Sequence, residues 1–171
     1  KLLPTWRGKL LDRKGRVLSE DVPSYDVAVS YALAKGTWAK ERAEAAVRAT
    51  TGSGWRKLKQ PQRDERIAES LPQWEEQQGL LLEILATRSG LSQGEFEKNL
   101  NAIATRIDEQ AAAVFRQKKK TREARGQSED VKQEPIREMH EMHVVSRDVA
   151  NETVFEMRKL SDAYPGAIEI I

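Results

Sequence analysis

The sequence predicts an α+β fold: a small β-sheet formed by N- and C-terminal segments of the chain, with a long helical insertion between them. Three observations predict it. Residues 7–31 carry strand patterning and a hairpin turn. The middle of the chain carries apolar residues at helical spacing. The end returns to a strand-helix-strand order. The expected division is a sheet core with one helix from 1–35 and 135–171, and a helical head from 36–134.

The opening stretch is Arg7-Gly8-Lys9-Leu10-Leu11-Asp12-Arg13-Lys14-Gly15-Arg16-Val17-Leu18. Two apolar segments flank a turn, and Gly15 stands where a tight hairpin needs positive φ. Lys14-Gly15 suits a type I′ turn less well than Asn-Gly, so a type I turn with a glycine bulge also serves. Tyr25, Val27, Val29 and Tyr31 alternate with Asp26, Ala28 and Ser30, the pattern of a strand with one covered face. Gly36 breaks that run. Residues 38–49 favour helix, Thr51-Gly52-Ser53-Gly54 reads as a loop, and Pro61 marks a boundary.

A helix is expected from near Arg63, broken or kinked at Pro72. A second run, 73–88, puts Trp74, Leu81, Leu82 and Leu85 on one side and ends at Ser89-Gly90-Leu91. Ser92 and Glu95 then form a capping box. The clearest helix follows, with Phe96, Leu100, Ile103, Ile107, Ala111 and Val114 at steps of three and four, running to about Arg125. Residues 127–134 read as polar and loose, and 135–145 as extended. Ser146 is expected to cap a last helix carrying Val149, Thr153, Met157 and Leu160, with Asp148 in its first turn. Tyr164-Pro165-Gly166 turns into a final strand, 167–171, and no internal repeat occurs.

The 171 residues are 33% charged and 39% hydrophobic, with a mean hydropathy of -0.68. These values suit a surface-rich chain with a thin core. A net charge of only +2 gives no global basic field to draw nucleic acid. The chain has no Cys, which removes disulfides, thiolate metal sites and a Cys nucleophile. No apolar run approaches the roughly 20 residues that span a bilayer. The chain opens on Lys1 rather than Met and closes on an apolar strand, so both ends are expected to be cuts from a longer protein.

Arg7-Gly8-x-x-x-Asp12-Arg13-x-Gly15-x-x-Leu18 resembles the R-G-x-I-x-D-R-N-G-x-x-L-A motif of class B penicillin-binding proteins. That motif opens their non-catalytic pedestal, or dimerisation, domain. Leu10, Lys14 and Ser19 depart from it. Later segments resemble the family in the same order. Val22-Pro23-Ser24-Tyr25-Asp26-Val27-Ala28-Val29 looks like the strand after the motif. Leu82-Glu83-Ile84-Leu85 with Gly90-Leu91-Ser92 looks like its L-x-x-L-G-L-S segment. His143-Val144-Val145-Ser146-Arg147-Asp148-Val149-Ala150 looks like its strand-to-helix passage. Tyr164-Pro165-Gly166-Ala167-Ile168-Glu169-Ile170 looks like its F-P-G-V-x-V strand. Residues 38–79 and 99–134 have no specific match.

The resemblance implies a parent that crosslinks peptidoglycan at the periplasmic face of the bacterial inner membrane, anchored by a transmembrane helix ahead of Lys1. It implies three partners: the transpeptidase domain of the same parent chain, a glycan-polymerising membrane protein, and a morphogenesis scaffold of the cell-wall machinery. It also admits a homodimer, and it implies no cofactor and no nucleic acid. Transpeptidases of this family need S-x-x-K, S-x-N and K-T-G. No Ser here has Lys three residues on, and Lys120-Thr121-Arg122 lacks the glycine of K-T-G. The chain itself is therefore expected to form no acyl-enzyme.

Other constellations weigh less. His140 and His143 would hold Zn²⁺ only on a helix, with Glu138 or Glu141 as third ligand; a strand puts them on opposite faces. Packed or solvent-facing histidines are the default. Arg116, Lys118, Lys119, Lys120, Arg122 and Arg125 form a basic run against Glu123 alone. It is a candidate contact for a partner or an anionic surface, and the alternative function is a helical nucleic-acid- or membrane-surface-binding module. A solvated helix end is the plainer reading, because no aromatic residues interleave to stack bases. Glu75-Glu76 and Glu41 with Glu44 read as charged helix faces rather than a glycosidase pair. Gly52-Ser53-Gly54 lacks the G-K-[ST] of a phosphate loop. Trp6, Trp38, Trp55 and Trp74 read as core or interface anchors. Arg7, Asp12 and Arg13 are a candidate ion-pair cluster fixing the hairpin.

Overall fold

The computed structural model describes residues 9–19, 25–126 and 132–171. Within them lie β1 (Leu10–Leu11), β2 (Val17–Ser19), β3 (Tyr25–Ser30), α1 (Tyr31–Lys35), α2 (Trp38–Thr51), α3 (Gln60–Arg88), α4 (Gln93–Ala124), β4 (Met142–Val149), α5 (Asn151–Ala163) and β5 (Ile168–Ile170). Short 3-10 turns occupy Gly52–Lys57 and Arg137–His140. The architecture is α+β. One antiparallel sheet has the order β4-β3-β5, and the long helices fall between β3 and β4.

The central strand β3 pairs Val29 with His143 on one side and with Ile168 on the other. Val27, Ala28 and Val29 are all buried, so both faces of this strand are covered rather than one. The alternation that ran to Tyr31 stops at Ser30. There the hydroxyl accepts the Leu33 N–H and starts α1. Gly36 closes α1 at φ +78, a conformation that side chains with a Cβ rarely take.

Other expectations are corrected by packing. Of the expected Thr51-Gly52-Ser53-Gly54 loop, Thr51 ends α2 and Gly52-Ser53-Gly54 opens a 3-10 turn, wound so that the Trp55 indole is buried. Helix α3 starts at Gln60, with Pro61 in its first turn, and runs unbroken through Pro72. Pro72 deprives one turn of a hydrogen bond, a cost of about 3 kcal/mol in a helix interior. Leu71, Trp74, Leu81, Leu82, Leu85 and Ala86 hold the helix to the core on both sides of it. Residues 135–145 are not wholly extended, because the 3-10 turn precedes β4. Ser146 does not cap a helix: it is buried opposite Val27 in the ladder. Strand pairing continues to Tyr25 opposite Val149, and α5 begins only at Asn151. Asp148 takes φ 55 where the chain leaves the strand. Among the described residues the terminal segments thus hold two α-helices, α1 and α5, rather than one.

Helix α4 follows its expected stripe. Phe96, Leu100, Ile103, Ile107 and Ala111 are buried, while Val114 is 40% exposed. The capping box forms, with Ser92 Oγ accepting the Glu95 N–H and Glu95 accepting the Ser92 N–H at 3.1 Å. One buried cluster joins Val27, Val29, Val145, Val149 and Ile168 of the sheet with Leu81 and Leu85 of α3, Phe96 and Ile107 of α4, and Met157 of α5.

Candidate functional site

A sheet built from both ends of the chain, 7–31 included, would take the hairpin as one of its edges. It does not: β1 and β2 make a two-stranded ladder of their own, and both edges of β3 are already taken by β4 and β5. Its turn is built around Asp12. The Gly15 N–H donates to the Asp12 carbonyl at 2.9 Å, the Asp12 N–H donates to the Arg16 carbonyl at 2.8 Å, and Gly15 stands at φ +76. Those are the marks of a turn closed by a glycine bulge. Asp12 Oδ1 also accepts the backbone N–H groups of Lys14 and Arg16, and Oδ2 pairs with Arg16 Nε at 2.7 Å. These bonds, led by the one from the Arg16 backbone, hold the Asp12 carboxyl below its ordinary range. Asp12 therefore shapes the turn from within, and its ion-pair partner is Arg16 rather than Arg13. Arg7, Gly8 and Trp6 lie outside the described residues. Leu18 is exposed, as are Leu10, Leu11 and Val17.

The basic run occupies the last turns of α4 and ends on Arg125, the residue that caps it. Lys118 Nζ meets Glu134 at 2.7 Å, and Lys119 lies 4.0 Å from Glu123. Arg116, Lys120, Arg122 and Arg125 have no ion-pair partner among the described residues. The fold brings Lys132 and Glu134 beside Lys118, Arg122 and Arg125, around one cleft. Sequence reasoning left Lys132 and Glu134 in a loose polar stretch, and no local signal places them there. Gln127 and its neighbours through 131 lie outside the described residues.

His140 ends the 3-10 turn, exposed, whereas His143 is buried in β4. His143 Nε2 donates to the Glu138 carbonyl at 2.7 Å, and Nδ1 accepts from Arg106 at 3.4 Å. This neutral tautomer is assigned from the hydrogen bonds. Both ring nitrogens are engaged, so His143 is a packed histidine. The described residues contain no group of three or more His, Asp or Glu placed to hold a metal ion.

The described tryptophans, Trp38, Trp55 and Trp74, pack as anchors. Trp38 meets Trp74 edge-on at 6.1 Å and Tyr164 at 5.9 Å, and Arg42 lies over both indoles. Arg63 lies 5.0 Å over Trp55.

A cluster absent from the sequence reading ties α1 to α4. Tyr31 Oη donates to Asp108 Oδ1 at 2.6 Å, and Lys35 Nζ pairs with Asp108 Oδ2. The Lys35 contact, then the Tyr31 bond, hold the Asp108 carboxyl below its usual range. The same contact raises Lys35, and burial followed by Asp108 raises Tyr31. The residues lie 73 and 77 positions apart, too far for any local pattern to join them.

Among the described residues, no helix is long and apolar enough to cross a membrane. Set against family models, curated proteins and solved structures, the chain finds no match.

Proposed function

We propose that the chain is the non-catalytic pedestal domain of a class B penicillin-binding protein. It is a scaffold that positions a transpeptidase domain and offers surfaces to the cell-wall machinery. The observation that supports this reading is where the fold puts the family-like segments. Of the five stretches that carry that resemblance, three lie far apart in sequence: one around Tyr25–Ser30, one around Met142–Val149 and one ending in Ile168–Ile170. They become the three adjacent strands of one sheet. The stretches without resemblance fall on the helices between them. A scaffold with variable helical insertions is a common way to carry partner contacts on a rigid frame.

On this reading the chemistry belongs to a separate transpeptidase domain, since no S-x-x-K or K-T-G occurs in these 171 residues. The parent would stand at the periplasmic face of the inner membrane, with a glycan-polymerising membrane protein as neighbour. The test is the reading frame around this segment, together with fluorescent-penicillin labelling. An apolar membrane-spanning run ahead of Lys1 and S-x-x-K, S-x-N and K-T-G beyond Ile171 are expected. The full-length product should label covalently and the 171-residue chain should not. Absence of both flanking features, or labelling of the short chain, overturns the reading.

A further inference from the structure

The last turns of α4 and the segment 132–134 face each other across a cleft of about 620 Å³. Lys118 and Arg122 share one face of α4 with Val114 and Thr121, and Arg125, the cap that follows, lines the same cleft. Lys132 reaches the same cleft from off the helix. Four cations thus line one space, and Glu134 is the one acid among the described residues that line it. Glu134 is engaged by Lys118 at 2.7 Å. Arg122, Arg125 and Lys132 have no ion-pair partner among the described residues. The negative end of the helix dipole favours cations in the last turn of α4, which accounts for Arg122 and Arg125. It does not account for Lys132, which lies outside the helix and adds like-charge repulsion.

We propose that this cleft binds a phosphate-bearing anion, with Arg122, Arg125 and Lys132 as its ligands and the Lys118–Glu134 pair as a fixed wall. Guanidinium forks match phosphate oxygens two at a time, and the lysine adds a point charge. Glu134 is shared between Lys118 and the nearby charge of Arg122, and the four cations still outnumber it, so the cleft suits an anion that carries phosphate charge. Among the described residues no aromatic side chain lines the cleft, so recognition falls on phosphate rather than on a nucleobase stacked between aromatic rings. The inference goes beyond the pedestal reading and does not depend on it.

The test is calorimetric titration of the chain with inorganic triphosphate. In parallel, the chain is sedimented with phosphatidylglycerol–phosphatidylcholine vesicles and with phosphatidylcholine vesicles alone. The R122E/R125E double variant removes two ligands at exposed positions. K40E/R48E makes the same charge change on exposed residues of α2, outside the cleft. Binding is expected to weaken with added salt, to fall about tenfold or more in R122E/R125E, and to stay near wild type in K40E/R48E. Circular dichroism checks that both variants fold. Binding to the anionic vesicles but not to triphosphate, with the same variant dependence, supports the proposal and makes the phosphate a lipid headgroup. No binding in either arm overturns it, as does an equal loss in both double variants. Much tighter binding to a DNA duplex, abolished by R122E/R125E, overturns it in favour of a nucleic-acid surface.

Discussion

Asp108 meets two side chains of α1 at once, and the two contacts differ in worth. The Lys35 and Asp108 side chains are 39% and 40% exposed, so water screens their pairing, which contributes about 0–1 kcal/mol. The Tyr31 hydroxyl is partly buried, and Tyr31→Phe should cost about 1 kcal/mol in urea unfolding at neutral pH. Asp108→Asn should destabilise the chain modestly at pH 7. The pH dependence follows from the lowered carboxyl of Asp108. Its folded state holds the proton less tightly than the unfolded state, so its stabilisation is present above the unfolded value near 3.8 and is lost as pH falls through the lower folded value. The gap between wild type and Asp108→Asn should therefore close in acid. A gap that persists there would show that the carboxylate charge is not what joins the helices.

Caps and breakers decide where the long helices start and stop. Ser92 begins α4 through the capping box, and Ser92→Ala should cost about 1 kcal/mol by thermal or urea melting. Pro72 sits exposed inside α3 with no N–H to give to the turn before it. Pro72→Ala should restore that hydrogen bond and stabilise the chain by roughly 1–3 kcal/mol, with higher helical ellipticity. A loss of stability would mean that the proline ring itself is needed where α3 passes α2. Ser92 was legible because its signal is local: Ser, then Glu three residues on, then an apolar stripe. The continuity of α3 was not, because the contacts that override Pro72 come from residues far along the chain.

At the scale of the molecule, sheet and helices share one apolar cluster. Phe96 of α4 is 1% exposed within it, so Phe96→Ala should cost about 3–5 kcal/mol and lower the stability of the whole described fold. Far-ultraviolet ellipticity and tryptophan fluorescence should report a single coincident transition in wild type and variant alike. Trp38 and Trp74 report on the helical block, so two separate transitions would show that the helices and the sheet unfold as independent units.

By itself the sequence determined the local features: the α+β class, the glycine-closed turn at Gly15, the strand through Val27 and Val29, the capping box at Ser92 and the buried stripe of α4. Each rests on residues within a few positions of one another, where periodicity and turn chemistry act. Only the tertiary structure decided what distant residues do together. It paired Tyr25 with Val149, which turned Ser146 from a cap into a buried strand residue. It carried α3 through Pro72, left the hairpin outside the main sheet, and brought Lys132 and Glu134 to the basic face of α4. These outcomes turn on burial and pairing between segments far apart in the chain, and no local pattern encodes such contacts.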